Sequence, residues 1–235
     1  MKKALCFDPC TGAAGDMLLG ALMDIGVPPD LIDKNIRSTG IDEFELKFER
    51  KTDHTGITAG RCDVKIAESH HHRKMKDIEQ IINSGSFSDD VKLTALKIFR
   101  RLAEAESKVH NISAGEVHFH EVGAVDAIVD ILGFAIAIDY LNPAHIYSGP
   151  FRTGYGTVNC AHGEIPVPAP ATVELIKGFP VIPLDIRSEL TTPTGAAILS
   201  TVSEGQFYGR PMIIKKIGYG LGSREFERRP NILRV

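Results

Sequence analysis

The chain has no tryptophan, only 7% aromatic residues, and no apolar run long enough to cross a bilayer. Its longest apolar tract, Ile131 to Ile138, falls far short of the roughly 20 residues that a spanning helix needs. Basic charge is also in short supply. With 27 Lys and Arg against 30 Asp and Glu the net charge is 27 − 30 = −3, so there is no global field to hold nucleic acid or an anionic membrane. The four cysteines (Cys6, Cys10, Cys62 and Cys160) contain no CxxC pair. In a chain this long they read as reduced, packed thiols, not as a disulfide framework. Lys2-Lys3 before Ala-Leu-Cys-Phe imitates the start of a leader, but Asp8 interrupts the apolar run after four residues. These absences predict a soluble, cytoplasmic protein.

At 235 residues the chain can bury about 70–75% of its unfolded surface. No internal repeat or linker is visible, so a single α+β domain over residues 1–235 is expected, a mixed sheet flanked by helices. Ala4 to Phe7 reads as a short buried strand, and Asp16 opens an apolar helix that runs to Ile25 and stops at Gly26. A second helix is predicted over Asp30 to Ser38. Alternation over Glu43 to Lys51 and Ile57 to Ile66 predicts a hairpin turning near Thr55-Gly56. Glu68 to Lys76 is polar apart from Met75 and reads as a mobile histidine loop, with 67–76 its expected bounds. Helices follow over Met75 to Ile82, Asp89 to Lys108 and Asp126 to Leu141, the last the most apolar. Further on, a helix is predicted at Ala169 to Lys177 and strands near Val181 and Ile213. Thr192-Pro193 caps and starts a helix reaching Val202.

Five of the nine histidines fall in two tight groups, 70–72 and 118–120, and a sixth follows Cys160 at position 162. The densest chemistry is the nine-residue stretch from His118 to Asp126, with two imidazoles and two carboxylates. If extended, His118 and His120 share one face while Phe119 anchors in the core. Asp126 and Asp130 lie four apart on one face of the next helix, where so apolar a setting demands a partner for each carboxylate. Two imidazoles with one or two carboxylates suit zinc, iron, nickel or manganese, and affinity alone does not choose among them. A plainer alternative is a pair of satisfied histidines beside a well-capped helix.

His70-His71-His72 forms a tract of the kind that captures metal loosely and passes it on. Cys160-Ala161-His162 offers a thiolate and an imidazole on one strand face. The turn from Thr11 to Asp16, with Gly12 and Gly15, sits between a strand and a helix N-terminus and can present N–H groups to phosphate. It matches neither a Walker loop nor GxGxxG. Asp8 and Asp16 flank it and are candidates to hold a cation or a ribose. Thr194-Gly195 at another helix start, and Arg224 after Gly218-Tyr219-Gly220-Leu221-Gly222-Ser223, are further phosphate candidates.

Taken in order, these blocks resemble one family. Phe7-Asp8-Pro9-Cys10-Thr11-Gly12-Ala13-Ala14-Gly15-Asp16-Met17-Leu18-Leu19-Gly20, the His70 tract, Val117 to Asp130, Cys160-Ala161-His162-Gly163, Pro166 to Pro170, Thr192 to Ala197 and Gly218-Tyr219-Gly220 are similar to the nickel-insertion (LarC) family of lactate racemase maturation. The resemblance implies insertion of Ni(II) into pyridinium-3,5-bisthiocarboxylic acid mononucleotide, giving a nickel pincer nucleotide with two Ni–S bonds and one Ni–C bond. It also implies a lyase-class cyclometallase that consumes CTP with Mn(II) or Mg(II). The family's CTP region lies in a C-terminal part, so residues 1–235 correspond to its N-terminal-type domain. A C-terminal polypeptide of the same family and a homo-oligomer are the expected partners.

On that reading His70, His71, His72, His118, His120, Asp126, Cys160 and His162 are the expected nickel ligands. The substrate's thiocarboxylates are softer competitors, and weak, exchangeable protein ligands let the ion go. Forming the Ni–C bond removes a ring proton, for which Glu121 or His120 is the expected base, with Asp126 beside them. Asp8, Gly12, Gly15, Asp16, Thr194, Gly195 and Arg224 are the expected nucleotide contacts. Two rival readings use the same residues. One is a metal-dependent phosphoester hydrolase with His118, His120 and Asp126 as ligands and Glu121 as base. The other is a non-catalytic nickel carrier built on the histidine loop.

Overall fold

A computed structural model describes residues 2–66, 73–119, 125–160 and 163–235, apart from the side chains of His118 and Cys160. The elements in order are β1 (Ala4–Phe7), α1 (Gly15–Asp24), α2 (Pro29–Arg37), β2 (Phe44–Thr52), β3 (Thr58–Ile66), β4 (Arg73–Lys74), α3 (Met75–Ser84) and α4 (Asp89–His110). They continue with β5 (His118–Phe119), α5 (Val125–Leu141), β6 (His145–Ser148), β7 (Phe151–Thr153), β8 (Thr157–Cys160) and β9 (Gly163–Pro166). The last are α6 (Pro170–Ile176), β10 (Val181–Pro183), α7 (Pro193–Val202), β11 (Tyr219–Leu221) and β12 (Ile232–Arg234). Among the described residues no helix is long and apolar enough to cross a membrane.

The expected α+β class holds, and the largest sheet is mixed. Its order is β12-β11-β3-β2, with β11 parallel to β3 and antiparallel to β12. The alternation over β2 and β3 becomes an antiparallel ladder from Phe44↔Ile66 to Thr52↔Thr58. The turn needs Gly56, which sits at φ +86°. The parallel pair β1-β6 joins this sheet through one bridge, in which Asp8 N–H donates to Arg234 O (2.7 Å) and Arg234 N–H to Asp8 O (3.0 Å). β7-β10, β4-β5 and β8-β9 are separate two-stranded pairs.

α1 lies on β3 and β11 almost without side chains between. A Cβ on Gly220 would stand 1.7 Å from Met17 O, and one on Gly20 would stand 2.4 Å from Gly60 O. The C-terminal end of α1 is fixed by the buried Asp24, which accepts from Tyr219 N–H (3.0 Å) and pairs with Arg50 (2.8 Å). On its other side α1 packs against α5, which is buried along most of its length. Phe134 of α5 meets Phe7 of β1 at 5.7 Å between ring centres, so one core spans sheet and helices. α4, α6 and α7 close that core from outside.

Two local expectations change. The polar stretch does not remain a loop to Lys76: Arg73–Lys74 pairs with Phe119 and His118, and α3 starts at Met75. Lys74 N–H donates to Asp77 (2.8 Å), which fixes that start. No strand forms near Ile213. That residue and Ile214 are exposed in irregular chain, and the strand begins only at Tyr219, where β3 and β12 supply ladder partners. β8 ends at Cys160, which pairs onto Gly163 of β9; the expected partner of Cys160, His162, lies outside the described residues.

Candidate active site

The N-termini of α1, α5 and α7 and the loop after β11 surround one cleft of about 450 Å³. α1 begins at Gly15 without a side-chain cap; Asp16 in its first turn accepts from Met17 N–H (2.8 Å). Side-chain volume is excluded where α1 meets α5, since a Cβ on Gly15 would lie 2.0 Å from Asp130 Oδ2. Asp126 and Asp130, one helical turn apart on α5, both face the cleft, as the i, i+4 spacing requires.

These acids are crowded by protein and by one another. Burial is the main cause that raises Asp16 to about 6; Asp63 adds to the rise, while Met17 N–H and Arg61 oppose it. Asp126 is raised by burial against a hydrogen bond from Ala127 N–H (2.8 Å). Asp130 is pushed well above the usual carboxylate range by burial first, then by the charges of Asp16 and Asp126. Its Oδ1 is buried and has no hydrogen-bond partner among the described residues. Cys62, beside them, is held as the neutral thiol by burial and by the neighbouring acids.

The opposite wall suits an anion. Thr192 caps α7, its hydroxyl accepting from Gly195 N–H (3.2 Å), with Pro193 at the first turn as the sequence predicts. Thr194 follows on the cleft surface and Arg224 faces it. Arg224 is steadied by a hydrogen bond to Ser188 Oγ and, through its carbonyl, by Asn231 (3.1 Å). A helix N-terminus next to a guanidinium is a phosphate-binding arrangement.

Of the expected nucleotide contacts, Gly15, Asp16, Thr194 and Arg224 line this cleft together with Asp126. Three others are engaged elsewhere. Asp8 is buried in an ion pair with Arg234 (2.6 Å). Gly12 backs onto Leu190, where a Cβ would be 2.0 Å from the carbonyl oxygen, and Gly195 backs onto Ala13 O in the same way at 2.2 Å. Those two glycines are required by close backbone packing. His70, His71, His72, His120, Glu121 and His162 lie outside the described residues, as do the side chains of His118 and Cys160. The backbone of His118–Phe119 is extended as expected, and Phe119 is buried against Phe99. Among the described residues no three His, Cys, Asp or Glu side chains form a ready-made metal cage.

In the sequence Asp130 stands out only as an acid that needs a partner, with no role attached. Asp63, Glu189 and Asn231 also line the cleft and do not stand out at all. A carboxylate inside a nearly all-apolar helix was the signal for Asp130. Nothing local marks the other three.

The model of the nickel insertion protein family matches residues 5–235. The chain is similar to the pyridinium-3,5-bisthiocarboxylic acid mononucleotide nickel insertion protein of Clostridium kluyveri, at 48% identity over 99% of this chain and 61% of the relative. The protein of that name from Staphylococcus epidermidis is 44% identical over 100% of this chain and 59% of its own length. That from Acetivibrio thermocellus is 42% identical over 96% and 58%. The chain thus spans about three-fifths of the length of these curated relatives. No solved structure matches it.

Proposed function

The chain belongs to the nickel insertion protein family, and from that premise we propose that its cleft receives Ni(II) and pyridinium-3,5-bisthiocarboxylic acid mononucleotide and joins them. One observation carries the reading. Gly15, Asp16, Asp126, Thr194 and Arg224 come from four separate stretches of sequence, yet they line a single cleft. At about 450 Å³ it is within the range of small-molecule sites. The phosphate is assigned to the α7 N-terminus, Thr194 and Arg224. The pyridinium ring and its two thiocarboxylates face Asp126.

Nickel enters as substrate. His70, His71 and His72 capture it, and His118, His120, Asp126, Cys160 and His162 are its proposed successive ligands. Glu121 or His120 takes the ring proton as the Ni–C bond forms. This is chelatase chemistry of the lyase class. CTP with Mn(II) or Mg(II), a further polypeptide supplying the rest of the relatives' length, and homo-oligomer formation belong to the proposal for the assembled protein. So does a cytoplasmic setting, which suits the free thiols of Cys6, Cys10 and Cys62.

The test is mass spectrometry of the nucleotide after incubation with Ni(II), CTP and Mn(II), with and without that further polypeptide. The expected product gains one nickel and loses the ring proton. An unchanged nucleotide in both arms overturns the proposal. Conversion at the native rate after Asp126→Ala, or after His118→Ala with His120→Ala, overturns the assignment of residues.

A further inference from the structure

We infer that Asp16 and Asp130 hold a hard divalent cation of the magnesium or manganese class in the cleft, where it bridges to the phosphate of the bound nucleotide. Three observations converge on this. The first is the buried Asp130 Oδ1, which has no partner among the described residues although its other oxygen is seated against Gly15. A buried carboxylate oxygen without a donor is costly unless an ion or a proton satisfies it.

The second is charge. Among the described residues no Lys, Arg or His makes an ion pair with Asp16 or Asp130, and the guanidinium that acts on Asp16, that of Arg61, is paired with Asp63 (2.9 Å). The third is donor type. The two carboxylates offer only oxygen, and the adjacent sulfur, Cys62, is a buried neutral thiol. Oxygen donors select magnesium and manganese, whereas nickel prefers imidazole and thiolate. Magnesium-type ions are commonly held this way, by one or two carboxylates plus a substrate phosphate.

The cation is therefore distinct from the nickel being inserted. Its identity as a phosphate bridge rests on the nucleotide reading of the cleft; its binding to Asp16 and Asp130 does not.

Mn(II) is the probe. A background variant with His70, His71 and His72 changed to Ser removes capture by the histidine tract, and free Mn(II) is followed by its EPR signal. Asp130→Asn and Asp16→Asn, which keep shape and volume, should each weaken Mn(II) binding by about tenfold or more. Thermal melts at pH 8 that are no lower than the parent's show that the fold is intact. Mn(II) affinity within about twofold of the background in both variants overturns the site.

Nicotinate mononucleotide then probes the bridge by calorimetry. Its affinity should rise about tenfold with Mn(II) in the background protein and not in Asp130→Asn. If the variants lose Mn(II) but the nucleotide fails to bind with or without it, the cation site stands and the nucleotide reading falls. If the nucleotide binds equally well in both conditions and the variants keep Mn(II), the nucleotide reading stands and the cation site falls.

Discussion

α4 and α5 pack side by side, yet they treat their charged residues in opposite ways. α4 is finished at both ends: Ser88 accepts from Val91 N–H (3.2 Å) at its start, and Asn111 at φ 52° turns the chain at its end. Its first-turn acids, Asp89 and Asp90, are exposed. α5 is apolar on nearly every side; its Asp126 opens onto the cleft, while Asp130 keeps its Oδ1 buried against protein. The first-turn acids of α4 help the helix; Asp130, deeper in α5, burdens the fold. An acid retained there fits a cleft that uses it.

The contrast breaks most visibly at the aromatic core. Phe134→Ala, at a fully buried position on α5, should cost about 3–5 kcal/mol in urea unfolding, whereas Leu93→Ala on the exposed face of α4 should stay within about 0.5 kcal/mol. Equal costs would mean that α5 is not the centre of the core.

The next effect depends on pH and involves Asp16, which burdens Asp130 of α5. Its carboxyl titrates at about 6 when folded, against 3.8 as the reference value. The folded state therefore holds the proton longer, and stability falls as pH rises from about 4 to about 6. Asp16→Asn escapes that loss. It should match the parent at pH 4 and exceed it at pH 8 by up to about 3 kcal/mol. A variant less stable than the parent at pH 8 would show that the ionised form is favoured in the fold.

Smaller changes sharpen the other side. Ser88→Ala removes the α4 cap and should cost about 1 kcal/mol. Asp90→Asn, in the exposed first turn, should lose about 0.3–1 kcal/mol through the helix dipole at low salt and less at high salt. Its sign is opposite to that of Asp16→Asn at pH 8, which a pair of melts at that pH can check.

Much of this was legible in the chain because the signals were local. Alternation gave β2 and β3, Thr192-Pro193 gave the start of α7, and the apolar run around Asp126 and Asp130 gave both the buried helix and the anomaly on it. What stayed hidden depends on distant partners. Asp8 looks like a ligand until Arg234 pairs with it across the whole sequence. Gly12 and Gly195 look like a phosphate turn, but their missing side chains make room for Leu190 and Ala13. The apolar residues near Ile213 read as a strand, yet among the described residues no strand pairs with them.

Because α1 meets the sheet main chain against main chain at Gly20, Gly60 and Gly220, the height at which Asp16 stands is set by peptide dimensions, not by the sizes of Leu18 or Leu22. Drift among those apolar side chains would register as gained or lost melting temperature while the acid kept its coordinates. A single added methyl at one of the three contacts would lift the whole rod and carry the carboxylate off its mark.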